Sequence, residues 1–292
     1  MRKKSIACLA IMFFIGNMSF AQEINTFMYK VGEYEVILLS EGQQKGNSGI
    51  LLDATPEMIS ETMPDGSYAT AVNTFLVKTP EKNILIDTGI GKNLLENMKA
   101  VGVSPEEIQT VIITHMHGDH TGGLVKDGKI VFPKSTVQLS QAEHNYWSSD
   151  TEMNKLPENR RGGFTSARNI LKAYEGEIEI VHPGKLKEIT GNGIFFIEAY
   201  GHTPGHIACL IKSGKDQLLV WADLAHAMAI QMPYPDIAVS YDVDPQKAIE
   251  IRKTILEYVA EHKIPIAGMH IPYPGIGRIE KSGKGYVFLP VK

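Results

Sequence analysis

Cysteine is nearly absent from this chain: there are two in 292 residues, Cys8 and Cys209. Only Cys209 lies beyond the first 21 residues, so neither a disulfide framework nor a thiolate metal cluster can organise the fold. After residue 21 no apolar run approaches the roughly 20 residues that a spanning helix needs. No charge of one sign dominates, with 29 Lys and Arg against 33 Asp and Glu. A net charge of −4 gives no basic surface for nucleic acid or for an anionic membrane. The GxGxxG and P-loop signatures are missing, which leaves dinucleotide and phosphoryl chemistry without an anchor. Repeats, low-complexity tracts and Pro- or Ser-rich linkers are also missing. What remains is an ordinary globular balance, 43% hydrophobic and 21% charged, with chain enough for a large core.

The first 21 residues have the composition of a cleaved leader. Arg2, Lys3 and Lys4 precede the apolar run Ile6–Gly16, and Ser19 and Ala21 put small residues at −3 and −1 of a cut before Gln22. The expectation is a signal peptide over 1–21, a functional domain over 22–292, and a periplasmic or secreted product with no stable membrane anchor. Cleavage removes three positive and no negative charges, so the mature chain carries −7.

Beyond the leader, short β-branched and aromatic runs separated by turn residues predict hairpins over Thr26–Leu39 and over Val72–Asp87. Ser104-Pro105 and Asp244-Pro245 each place a capping residue before a proline, which predicts helix starts. Ser140 with Glu143 fits a capping box. Val111–Thr114, Leu218–Ala222 and Pro265–Met269 fit buried strands. Each runs into a His or an Asp.

All ten histidines fall between His115 and His270. The densest group is His115-Met116-His117-Gly118-Asp119-His120, four ligand-type side chains in six positions. In an extended segment His115 and His117 point to one side and can grip one ion. A turn at Gly118 then lets Asp119 and His120 face a second. Packed together without metal, these groups leave several polar atoms unsatisfied. Three further groups are Gly201-His202-Thr203-Pro204-Gly205-His206, Asp223 after an apolar strand, and His270 after the last buried strand. Imidazole and carboxylate without thiolate suit Zn²⁺, with Mn²⁺, Fe²⁺ and Co²⁺ also accommodated. His206 is expected to be structural.

These residues resemble the metallo-β-lactamase superfamily. The resemblance rests on Asp87-Thr88-Gly89, Thr114–Gly123 (THMHGDHTGG), Gly201–His206 (GHTPGH), Asp223 and His270, in the family's order. It implies an α/β fold, an αββα sandwich with the metals at one sheet edge. It also implies two Zn²⁺ per chain: His115, His117 and His202 on one, Asp119, His120 and His270 on the other, and Asp223 bridging. Asp87 and Thr203 are then expected either to orient the ligand loops or merely to cap turns.

Departures within the superfamily narrow the chemistry. The β-lactamases that share the hexad generally lack a bridging aspartate, and Asp223 argues against antibiotic cleavage. Pro272–Lys292 is too short for the glutathione-binding region of glyoxalase II. The net charge speaks against the RNA-processing relatives. His270–Gly277 (HIPYPGIG) and Trp221–His226 (WADLAH) are similar to the methyl parathion hydrolase-like branch. Secreted N-acyl homoserine lactone lactonases share much of the same pattern. Small cytoplasmic lactonases usually carry Tyr three residues after the bridging Asp, where this chain has His226.

The expectation is therefore a dizinc lactonase acting on N-acyl homoserine lactones. Asp119 and His226 are its candidate catalytic groups, and a phosphotriesterase or arylesterase is the alternative. The substrate expected is a small ester or lactone with an apolar chain, and a homodimer is the assembly to consider. Tyr146, Trp147, Met153 and Phe164, with Met58, Ile59 and Met63, are candidate pocket walls, or else ordinary packing residues.

Overall fold

The computed structural model describes residues 25–292, and the leader expected over 1–21 lies outside them. Among the described residues no helix is long and apolar enough to cross a membrane. Seven strands form the first sheet, in chain order: β1 (Asn25–Val31), β2 (Tyr34–Asn47), β3 (Ser67–Lys78), β4 (Asn83–Ile86), β5 (Ile108–Ile112), β6 (Thr136–Ser140) and β7 (Ile178–Val181). Its first four strands are antiparallel and the last three run parallel to β4. The second sheet has six, again in chain order: β8 (Gly193–Glu198), β9 (Ile207–Ser213), β10 (Asp216–Val220), β11 (Ile266–Ala267), β12 (Ile276–Ser282) and β13 (Gly285–Pro290).

The period of two along β2 shows how the layers are made. Val36 and Leu38 enter the core between the sheets, where they meet Phe75, Ile207, Ile211 and Val220. Ile37 and Leu39 point the other way, into a second core under the helices Gln141–Ser148 and Gly162–Ala173. On the far side of the second sheet, Ile255, Leu256 and Val259 of the helix Pro245–Glu261 cover Leu210, Leu219 and Ile266. The result is the expected αββα sandwich. Cys209 sits wholly buried between the sheets, and burial pushes its thiol well above the usual range.

Two local expectations change. Ser104-Pro105 starts only a 3-10 turn, Pro105–Glu107, because Ile108 is already taken up by β5. There Glu107 does close the box, accepting from Ser104 N at 2.9 Å. Ser140 caps its helix by accepting from Glu143 N at 3.2 Å, but the Glu143 carboxylate is drawn elsewhere. Asp244 behaves as expected, accepting from Lys247 N at 3.1 Å ahead of Pro245. Asp244→Ala should cost about 1 kcal/mol, read as a lower urea midpoint; an unchanged midpoint would show that the cap adds nothing.

Candidate metal centre

The segments after β5, β10 and β11 and the segment before β9 emerge at the same end of the sandwich. The register requires it: β10 and β11 are parallel, and β9 begins opposite the end of β10. Backbone bonds from Ile207 N to Thr114 O (3.0 Å) and from Asn73 N to Met269 O (3.0 Å) tie these ends across the two sheets. His117 is still extended, at φ −67° and ψ 154°, and a four-residue helical turn, Gly118–Thr121, then carries Asp119 and His120. The turn placed at Gly118 by the sequence is thus a turn of helix.

Seven side chains converge there. His117 Nδ1 lies 3.0 Å from His115 Nε2 and 2.9 Å from His202 Nε2. Asp223 Oδ2 is 3.7 Å from His115 Nε2, 3.4 Å from His202 Nε2 and 3.1 Å from His270 Nε2. Its Oδ1 lies 3.1 Å from His120 Nε2. Asp119 reaches to 3.9 Å from His120 and 3.5 Å from His270. Three groups form, each with ligand atoms within 4.8 Å of one another: His115, His117, His202 and Asp223; Asp119, His120 and His270; and Asp223, His226 and His270, which shares members with the first two.

Proton positions show that these groups suit cations. His120 donates Nδ1–H to Asp87 Oδ2 (2.7 Å), His202 to Asp242 Oδ1 (2.9 Å) and His270 to Ala71 O (2.9 Å). His115 Nδ1 rests on Thr114 Oγ1 at 3.2 Å, and that hydroxyl in turn donates to Asp87 Oδ2 at 2.7 Å. Each of these rings therefore turns its Nε2 inward, where a neutral ring presents a lone pair. Burial opposes charge on His120 and His270, but the neighbouring carboxylates raise both, and they carry a proton that a metal ion would displace. His120 Nε2 and Asp223 Oδ1 are buried with no hydrogen-bond partner. Such an arrangement is repulsive unless a cation lies within it. Burial holds His115 and His202 well below 6.5 and His117 at about 4, so these rings are neutral, as ligands must be. Burial also opposes charge on His120, but Asp223, Asp87 and Asp119 together raise it well above 6.5. This end carries an excess of negative charge that calls for a cation.

Several supports were not evident beforehand. Asp242, which orients His202, is backed by Arg252 of the helix Pro245–Glu261 at 3.8 Å. Glu143, expected only as a capping partner, is fully buried and accepts four hydrogen bonds. They come from Met116 N (2.8 Å), Trp147 Nε1 (2.6 Å), Thr203 Oγ1 (2.7 Å) and Gly205 N (3.0 Å). Burial raises its pKa and those four donors oppose the rise. Asp87 orients His120, so it does more than cap a turn, and Thr203 acts through Glu143. His206 donates Nδ1–H to Ala199 O (2.7 Å) and accepts from Asp223 N (3.2 Å). Both ring nitrogens are spent on backbone, as a structural histidine requires.

His226 stands beside the metal groups. Its Nε2 is 3.0 Å from Asp223 Oδ2, its ring stacks on His270 (4.9 Å, 22°), and its Nδ1 has no partner. Above the centre opens a cleft of about 790 Å³ whose walls include Tyr68, Tyr146, Trp147, Phe164 and Tyr241, with Arg160 on its lining. Of the expected wall residues, Met153 packs into the helix-side core instead, and Met63 joins a small cluster with Tyr68 in which Met58 and Ile59 are partly buried.

Comparison with known proteins agrees with this fold. The solved structure of hydrolase AbOPH in the beta-lactamase superfamily is 28% identical, with TM-score 0.85, covering 93% of this chain and 99% of that one. AidC, a dizinc quorum-quenching lactonase solved with the product N-hexanoyl-L-homoserine, is 29% identical, with TM-score 0.84, covering 92% and 98%. An N-acyl homoserine lactonase of Bacillus sp is 25% identical over 167 residues, 48% of this chain. The match spans 58% of that lactonase's length. The metallo-beta-lactamase superfamily pattern itself matches residues 68–262, and with the hexad, Asp223 and His270 gathered at one end of the sandwich, the chain belongs to that superfamily of hydrolases.

Proposed function

We propose that the chain is a secreted dizinc lactonase that opens N-acyl homoserine lactones, working as a mature domain from Gln22 to Lys292. In this reading His115, His117 and His202 would hold one zinc, Asp119, His120 and His270 would hold the other, and Asp223 would serve both. The observation that carries it is the meeting of both ligand groups at Asp223 on the floor of an aromatic-walled cleft. Two divalent cations held there supply Lewis acidity and a nucleophile available near neutral pH.

The chain's own groups do the rest. Trp147, Phe164 and Tyr68 shed water from the acyl chain and hold it, while the polar floor receives the lactone. Asp119 is the ligand carboxylate that stays partly open to the cleft, with its side chain 36% exposed. It is placed to hold the proton that the departing alkoxide takes up. His226, on the cleft lining beside Asp223, orients the substrate's polar end. His226→Phe should therefore lower kcat about 10²-fold with metal content unchanged. A variant of parental rate removes His226 from the mechanism, and a lost metal makes it a ligand.

The deciding experiment compares the zinc-loaded chain from Gln22 on decanoyl homoserine lactone and on methyl paraoxon. A kcat/KM of about 10⁵ M⁻¹s⁻¹ or more on the lactone, within the usual enzyme range, is the expected result. A slow lactone rate beside a fast phosphotriester rate overturns it in favour of the phosphotriesterase reading, with the aromatic wall serving an aryl group.

A further inference from the structure

The carboxylates that support the two ligand groups differ in reach: Asp87 holds His120 and, through the Thr114 hydroxyl, touches His115, while Asp242 holds the His202 ring. On the His120 side, Asp87 accepts from His120 Nδ1, Thr114 N and Thr114 Oγ1. The segments that carry His117 and His202 are joined by Glu143, which touches no residue of the Asp119–His120–His270 group. Its Oε1 takes the N–H of Met116, the residue between His115 and His117, and its Oε2 takes the hydroxyl of Thr203, the residue after His202. The fit is close: a Cβ on Gly205 would collide with the Glu143 backbone. Both Oε1 and Oε2 receive a backbone N–H, from Met116 and Gly205 respectively, and neither donor can turn away. The fourth donor, the Trp147 indole (2.6 Å), belongs to the cleft wall, and that ring meets His117 edge-on at 5.7 Å and 80°.

We infer that Glu143 is a positioning residue for the His115–His117–His202 ion alone, locking the spacing of His117 and His202 to the Trp147 wall that the substrate chain lies against. The inference rests on the two-ion reading above. Glu143→Gln is the sharp test because the amide is isosteric, yet in either flip its NH₂ must face a backbone N–H. Supporting partners of this kind typically change metal affinity 10–100-fold.

Metal-stripped full-length mature chain would be titrated with Co²⁺ and followed by its visible absorption. His202→Ala and His270→Ala assign the two binding steps. The expected result for Glu143→Gln is at least about tenfold weaker binding at the His202-dependent step, with shifted bands. The His270-dependent step should stay within about threefold, and the metal-free protein should unfold within about 4 °C of the parent, the shift of roughly 1 kcal/mol in a domain this size. Equal weakening at both steps, or none, overturns the role of Glu143 while leaving two-ion binding intact. A parent chain that takes up a single Co²⁺ overturns both. If Glu143→Gln does not fold, Thr203→Val, which removes only the hydroxyl donor, decides in the same way. A several-fold loss confined to the His202-dependent step supports the inference, and a symmetric loss or no change overturns it.

Discussion

In the lactonase proposed above, Asp223→Asn should lower kcat by at least about 10²-fold, the order seen when an electrostatic stabiliser of a reacting centre is lost. No other side chain touches so many of the inward-facing rings: His115, His120, His202, His226 and His270 all lie within 3.0–3.7 Å of its two oxygens. The volume is unchanged, so packing around Asp223, itself 3% exposed, is not what is tested. The charge is. Burial disfavours that charge, but His120, His270 and His226 hold the Asp223 carboxyl well below its ordinary range. An amide offers one poorer acceptor and places N–H donors where a cation is called for. Metal analysis should find less than the full complement retained after dialysis. Steady-state kinetics within threefold of the parent, at full metal content, would falsify a bridging role. On the proposed assignment His270→Ala takes one ring from the Asp119–His120–His270 group and is expected to cost a comparable 10²-fold or more.

Arg252→Met should destabilise the fold by about 3–5 kcal/mol, the usual cost of stranding the partner of a buried charge. Arg252 is 1% exposed. Its guanidinium donates to Leu224 O (2.7 Å), Pro235 O (3.0 Å) and Ile237 O (2.8 Å), and lies 3.8 Å from Asp242. The methionine fills similar space but strips the guanidinium donor from the Leu224, Pro235 and Ile237 carbonyls, of which Ile237 O keeps Gln231 Nε2. It also removes the cation beside the buried Asp242, which keeps its bonds from His202 and Val239 N. Because Asp242 orients His202, metal affinity should fall along with the denaturation midpoint measured in urea. A midpoint equal to the parent's would mean that the site relaxes around the loss and that Arg252 carries no such load.

The features legible from the residues are those whose partners are near in sequence or whose pattern is periodic. His115, His117, Asp119 and His120 crowd into one segment, and nothing but a cation reconciles so many lone pairs. Val36–Leu39 alternates between two cores, so its strand and the layering above and below it follow. Asp223 and His270 are single residues, visible only because each ends an apolar strand. Asp242 and Glu143 are not legible in the same way. Each is an ordinary acid in a polar stretch, and its partner lies far along the chain: His202 is 40 residues from Asp242, and Thr203 is 60 from Glu143. Ser104 and Ser140 show the related limit on local rules. At Ser104 a good helix start is overruled by the strand that follows it. At Ser140 the capping glutamate is claimed by stronger donors brought in by the fold.

One consequence follows from Cys209, the thiol sealed between the two sheets. In the chain from Gln22 it is the sole sulfhydryl, and it is out of reach of alkylating reagents while the protein stays folded. A cysteine introduced at the exposed cleft-rim residue Tyr241 (54% exposed) would then be the single group to take up a maleimide dye. The fold thus offers a background for attaching one probe beside the mouth of the cleft without first removing a native cysteine.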